Sequence, residues 1–184
     1  MKKILCLIFC YALLSVTGNE LSPAAKPIDE KATKETVELF NSLRHQMGKG
    51  ILFGHQNTTL YGVGWHSHKQ GTKTKSDCFE ATGQYPVVYG WDINSLWNPV
   101  IPKNKVKRNL DWMRELVLNA YERGGVNTFS WHLWNPISPE GGNFYDTTPA
   151  VHELLSGGKK HTWFKAELDK LADFFYRVKA IMAR

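Results

Sequence analysis

The chain is 184 residues long, 42% hydrophobic and 22% charged, with a formal net charge of +6 at pH 7. That length accommodates a single domain with a core. The positive charge is spread along the chain rather than gathered into a basic stripe, which argues against nucleic acid as a partner.

Lys2 and Lys3 precede a 13-residue apolar run from Ile4 to Val16, after which Thr17 to Glu20 turn polar. This is the layout of a signal peptide. The run is shorter than the roughly 18 to 20 apolar residues of a stable membrane-spanning helix, so no stable membrane span is expected. Residues 1–18 are expected to be removed after Gly18, with Val16 and Gly18 as the small residues of the cleavage site. The remainder is expected to be exported to the periplasm or the extracellular space. Removal leaves a net charge of about +4 and only Cys78, read as a half-buried helix residue without a disulfide partner. Residues 19–28, with Pro23 and Pro27, read as a tether to one domain over 29–184.

Asp29 to Met47 places Val37, Phe40, Leu43 and Met47 at helical spacing before Gly48 and Gly50, predicting an amphipathic helix. Ile51, Leu52 and Phe53 then predict a short strand buried on both faces and ending at Gly54. His55 to Lys75 is a long loop without a steady period, and Ser76 caps a short helix to Thr82. Pro86 to Tyr89 predict a second buried strand, with Gly90, Trp91 and Asp92 at its end. Pro102 to Arg123 predict a long helix with Leu110, Met113, Val117 and Tyr121 on one side, stopped by Gly124 and Gly125. Its basic start, Lys103 to Arg108, is followed by Asp111, Arg114 and Glu115 at helical spacing, the pattern of a solvated face. Val126 to Ser130 predict a third strand, and His161 to Met182 a helix carrying Leu168, Leu171, Phe175 and Val178. Strands alternating with helices imply an α/β fold with a parallel sheet and right-handed crossovers.

In parallel α/β sheets ligands bind beyond the C-terminal strand ends. The residues there are His55 and Gln56, then Trp91 and Asp92, then Trp131, His132, Trp134 and Asn135. Aromatic faces beside hydrogen-bonding side chains suit a sugar, which offers apolar C–H faces and directional hydroxyls. Trp91 fits a core position as well as a ligand contact, and Asp92 fits a turn-holding role. His66 and His68 form a pair that zinc can use, with His55 or His132 as further ligands, but no His-Glu-x-x-His or paired-Cys motif supports it. Neither a Gly-x-Ser-x-Gly elbow nor a phosphate loop is present. No cofactor and no metal are expected.

Three segments in order, residues 51–56 (ILFGHQ), 85–92 (YPVVYGWD) and 124–132 (GGVNTFSWH), resemble glycoside hydrolase family 26. Residues 142–146 (GNFYD) and 147–151 (TTPAV) look like loop segments of its mannanases. The resemblance implies a (β/α)8 TIM barrel, of which this chain would supply about the first three βα units plus an N-terminal helix. It further implies retaining hydrolysis of β-1,4-mannosidic linkages in mannan, galactomannan or glucomannan by two glutamates placed after the fourth and seventh strands. His132 matches the family's sugar-site histidine at the end of the third strand. Trp131, Asn135, His55, Gln56, Trp91 and Asp92 are then substrate-binding candidates.

The resemblance places no catalytic residue in this chain. Glu35, Glu38, Glu115, Glu122 and Glu167 fall on predicted helices, and Glu140 and Glu153 in loops that do not directly follow a strand. A barrel takes about 250 residues, and three strands cannot close it. The chain is therefore expected to be the N-terminal part of a longer product, truncated before strand 4 and inactive alone. Alternatives are a non-catalytic polysaccharide-binding protein, a metal-dependent hydrolase centred on His66, His68 and His132, and a family member acting on xylan or mixed-linkage glucan.

Overall fold

The computed structural model describes residues 26–93, 103–138 and 145–182. The chain divides into two compact units, residues 1–51 and 52–184. The expected signal peptide, most of the tether and the loop residues 142–144 lie outside the described residues.

In the first unit, α1 (Lys34–Gln46) starts where the Thr33 hydroxyl accepts the N–H of Thr36, satisfying one of the orphan donors of the first turn. It starts later than the expected Asp29, because the Asp29 carboxylate accepts the N–H of Lys31 and holds that stretch in a turn.

The second unit is built on a three-stranded parallel sheet of β1 (Gly54–Gln56), β4 (Val88–Asp92) and β5 (Val126–Ser130), in the order β1-β4-β5. A two-stranded antiparallel hairpin, β2 (Tyr61–Gly62) and β3 (Trp65–His66), stands between β1 and β4 in the chain. Two short helices follow it, α2 (Ser67–Gln70) and α3 (Asp77–Thr82). The long helices α4 (Lys103–Glu122) and α6 (His161–Met182) follow β4 and β5, with a single turn α5 (Val151–Leu154) between β5 and α6. Among the described residues no helix is long and apolar enough to cross a membrane.

The core lies on one face of the sheet. Parallel register pairs Tyr89 with Asn127 and Trp91 with Phe129, so alternation sends these four side chains to the same side. There Tyr89, Trp91 and Ile93 meet Met113, Leu116, Val117 and Ala120 of α4 and Phe174 and Val178 of α6. Each large apolar side chain so buried contributes about 1.5–3 kcal/mol on leaving water. The α4 stripe runs 113, 116, 117, 120, one step round from the expected one, and Tyr121 is half exposed. On α6 the expected Leu168 is likewise exposed, and Phe174 takes the buried position.

The opposite face carries Gln56, Val88, Gly90, Asp92, Val126, Thr128 and Ser130, in register with one another. Thr128 is exposed and Val88 and Val126 are half-buried, so among the described residues the strands are covered on one face, where the sequence predicted both. Ile51, Leu52 and Phe53 are also exposed and precede β1 rather than form it. The Phe53 carbonyl nonetheless accepts the N–H groups of Val87 and Val88, so the run leads directly into the ladder. Sequence placed the second strand at Pro86–Tyr89; the regular strand runs Val88–Asp92, with Val87 already bonded to Phe53 and Val126 on either side, and Pro86 has no N–H to extend the ladder further back.

Candidate sugar site at the strand ends

The face alternation sorts the expected site residues. Gln56, Asp92 and His132 fall on the open face, whereas His55, Trp91 and Trp131 fall on the helix-covered side. Trp91 is fully buried, and its indole N–H donates to the Asn127 side-chain carbonyl at 2.7 Å. Of the two roles the sequence allowed, the structural one is realised. Trp131 stacks on Phe164 of α6, with ring centroids 6.3 Å apart and planes 7° from parallel, so its large face is occupied by the helix layer. His55 is exposed on the edge strand opposite Tyr89.

On the open face, His132 Nδ1 lies 3.0 Å from Asp92 Oδ2. A carboxylate only accepts, so Nδ1 carries the proton, and Asp92 fixes the tautomer and the ring plane of His132. The Asp92 side chain is 30% exposed and that of His132 54% exposed, so a ligand can reach both. Beside them Gln56 Nε2 donates to Ser130 Oγ at 3.3 Å, and that hydroxyl donates to the Trp91 carbonyl at 3.4 Å. Gln56 and Ser130 come from strands on either side of β4 and meet because the strand between them carries Gly90, where a Cβ would strike the Gln56 carboxamide.

Asn57 was not singled out in the sequence, yet it holds this arrangement. It is a buried non-glycine residue with φ of +54°. Its N–H donates to the Gly90 carbonyl at 2.7 Å, and its side-chain carbonyl accepts the Asp92 N–H at 3.1 Å. Its side-chain amide donates to the Tyr61 hydroxyl at 3.0 Å. An asparagine directly after a strand is the available signal, since asparagine tolerates left-handed backbone better than other residues with a Cβ.

The loop after β1 is anchored rather than loose. Thr58 and Ser76 hydroxyls are hydrogen-bonded at 2.8 Å, Trp112 Nε1 donates to Ser67 Oγ at 2.7 Å, and Trp65 Nε1 donates to Asp77 Oδ1 at 2.5 Å. Asp77 also accepts the Val63 N–H at 2.7 Å. The Trp65 and Val63 hydrogen bonds hold the Asp77 carboxyl below its ordinary range.

Asn135 is engaged within the chain. Its amide donates to the Thr148 carbonyl at 2.7 Å and its carbonyl accepts the Ile137 N–H at 3.0 Å, tying residues 146–148 to the end of β5. His66 and His68 lie with ring centroids 5.8 Å apart. Among the described residues no group of three or more His, Cys, Asp or Glu side chains is placed to hold a metal ion, so the His66, His68 and His132 set is not assembled. Cys78 is a free, half-buried residue of α3, as its helical reading implied.

Among the described residues, a parallel sheet is covered on one face by the helices that follow its strands and carries polar side chains at its C-terminal ends, which defines an α/β fold. The glycosyl hydrolase family 26 model matches residues 28–181 of the chain. The chain belongs to that family. A mannan endo-1,4-β-mannosidase of Bifidobacterium adolescentis is 35% identical over 155 residues, 82% of this chain and 15% of that protein. A mannan endo-1,4-β-mannosidase of Bacillus subtilis is 26% identical over 143 residues, 76% of this chain and 38% of that one. Among solved structures, a modular endo-β-1,4-mannanase of Cellulomonas fimi superposes with a TM-score of 0.71 at 35% identity, covering 82% of this chain and 33% of that one. The catalytic domain of a Bacillus sp. JAMB-750 endo-β-1,4-mannanase gives 0.74 at 30% identity, covering 84% and 40%. The chain thus spans well under half the length of these relatives.

Proposed function

We propose that this chain forms the substrate-binding side of a mannan-hydrolysing (β/α)8 domain, contributing its first three βα units. The observation that carries this reading is the Asp92–His132 pair, held at 3.0 Å on the uncovered face at the strand ends. The sequential strand order β1-β4-β5 supports it, because a barrel adds strands in chain order, whereas a doubly wound sheet reverses. The relatives named as mannan endo-1,4-β-mannosidases favour mannan over xylan or mixed-linkage glucan. In this reading His132 and Gln56 hydrogen-bond sugar hydroxyls, and Asp92 orients His132. The export expected from Lys2, Lys3 and the apolar run places the work outside the cytoplasm.

By itself the chain binds without cleaving. Retaining hydrolysis takes two carboxyls about 5–5.5 Å apart across the sugar. The glutamates of α1, α4 and α6 lie within helices rather than at strand ends, and the strand-end carboxylate of Asp92 is engaged with His132. Incubation with insoluble mannan, xylan and mixed-linkage glucan, followed by assay of bound protein and of reducing ends, tests both parts. Retention on mannan without new reducing ends is expected, with retention lost in His132→Ala. Cleavage by the chain alone overturns the non-cleaving part, preference for xylan or glucan overturns the substrate, and retention on none of the three overturns the site.

A further inference from the structure

The hydroxyl of Tyr61, on β2, accepts the side-chain amide of Asn57 at 3.0 Å, and the other end of the same carboxamide accepts the Asp92 N–H at 3.1 Å. Asp92 in turn accepts from His132 Nδ1 at 3.0 Å. We infer that Tyr61 is a positioning residue for sugar binding at the strand ends, setting through Asn57 where Asp92 and His132 stand, without itself holding the sugar. This rests on the strand-end reading above.

The relay begins where β1 stops pairing. The Asn57 N–H donates to the Gly90 carbonyl as the last regular bond of the β1–β4 ladder. In a continued parallel ladder the Asn57 backbone carbonyl would next take the Asp92 N–H. The left-handed backbone of Asn57 turns that carbonyl away, and it accepts the N–H groups of Leu60 and Tyr61 instead. The side-chain carbonyl of Asn57 stands in as the acceptor for Asp92.

A side-chain substitute is only as fixed as its torsion. The terminal torsion of asparagine is broad, so a hydrogen bond at one end leaves the carboxamide free to swing, or to present its amide where the carbonyl belongs. A second bond at the other end fixes it. Asn57 is buried, so its amide depends on the acceptor that the chain supplies, and the Tyr61 hydroxyl is that acceptor. Tyr61 is a firm anchor because its hairpin is itself held. It pairs with His66, ring centroids 5.7 Å apart, and the Asp77 carboxylate accepts the Val63 N–H and the Trp65 indole N–H. Without the hydroxyl the carboxamide reorients, the Asp92 N–H loses its acceptor, and the carboxylate leaves its place beside His132 Nδ1.

Nitrogen NMR of the His132 ring in the sugar-free full chain, with calorimetric titration of mannohexaose, tests this in Tyr61→Phe, His132→Ala and the double variant. Tyr61→Phe is expected to move the His132 ring away from the Nδ1–H tautomer before any sugar is added. It should weaken mannohexaose by about threefold to tenfold, the size of one hydrogen bond. In the His132→Ala background the same substitution should have no further effect, because it acts through that ring. Gly62→Ala, where a Cβ would strike Asp77 and Trp65, displaces the hairpin while keeping the hydroxyl, and should move the His132 signals in the same direction. Unmoved His132 signals in Tyr61→Phe overturn the inference. So does an equal loss of affinity with and without His132, which would mean that Tyr61 touches the sugar. If the signals move but His132→Ala binds mannohexaose as the parent does, the hydrogen-bond relay stands and the strand-end reading falls. No mannohexaose binding by the parent overturns that reading and the positioning role with it.

Discussion

The side-chain carbonyl of Asn57 accepts the backbone N–H of Asp92 at 3.1 Å, and so one residue after β1 fixes where β4 presents its carboxylate. Asn57 does so from left-handed backbone, at φ of +54°, and while buried. Asn57→Ala removes both side-chain hydrogen bonds and keeps the strained backbone, at an expected cost of about 2–4 kcal/mol. Asn57→Gly loses the same bonds but relieves the strain, and should be about 1 kcal/mol less damaging. Urea denaturation compares them; equal losses would show that the backbone there is unstrained.

Gly62 faces the Asp77 carboxylate and the Trp65 indole so closely that a Cβ has no room. Gly62→Ala should therefore unseat the hairpin from Asp77, at about 1–3 kcal/mol as overpacking usually costs. Loss of the Trp65 indole's slow hydrogen exchange would report it locally.

The same contact makes the hairpin acid-sensitive. The Trp65 and then the Val63 hydrogen bonds lower the Asp77 pKa in the folded chain. A carboxyl with a depressed folded pKa stabilises fully above its unfolded value, roughly 3.9, and the contribution disappears as pH falls through the folded value. Trp65 fluorescence is expected to hold steady from neutral pH to about that unfolded value and to change below it. Asp77→Asn should abolish the transition; an unaltered acid transition in that variant would assign it elsewhere.

Two glycines of the sheet region should respond oppositely to alanine. At Gly90 the nearest obstacle is the flexible end of Gln56, which can swing aside, so Gly90→Ala should cost under about 1 kcal/mol while breaking the Gln56–Ser130 contact and weakening sugar binding. At Gly125 a Cβ would meet the Tyr89 ring at 2.5 Å and the Ala120 carbonyl at 2.9 Å, and neither can yield cheaply. Gly125→Ala should cost about 1–3 kcal/mol. Thermal melts and mannan titrations of the pair separate the effects.

How far the sequence could be read follows the same division. β5 and α6 fall on the residues their apolar periods predicted, Val126–Ser130 and His161–Met182. β1 and β4 instead pair later than predicted, at Gly54–Gln56 and Val88–Asp92. In both, the ladder takes in residues such as Gln56, Gly90 and Asp92, which read as loop because they are polar or lack a side chain. They are polar because they face the open side at the strand ends, so the site itself disguised the strands. The hairpin was missed for another reason. Gly62-Val63-Gly64 is a turn signal, with φ of +74° at Gly64, but the strands are two residues each and are held by Asp77 from far along the chain. The Asp92–His132 contact spans 40 residues and follows only from register.

Trp91 and His132 provide the sharpest separation of scaffold from site, since both were read as substrate-binding from neighbouring positions at strand ends. Trp91 is fully buried and donates to Asn127, so Trp91→Phe leaves a buried acceptor unsatisfied and a smaller ring in its place. A loss of about 2–4 kcal/mol in stability is expected, with mannan affinity of the folded fraction unchanged. His132 is more than half exposed and its contact with Asp92 is solvent-screened, so His132→Ala should cost about 1 kcal/mol or less. Its mannan affinity should nonetheless fall by about tenfold, as when a well-oriented hydrogen bond to a ligand is removed. Chemical denaturation and mannohexaose titration of both variants decide the matter. A Trp91→Phe protein that is stable but blind to sugar would move the ligand to the helix-covered face and reverse the sorting of these residues by strand alternation.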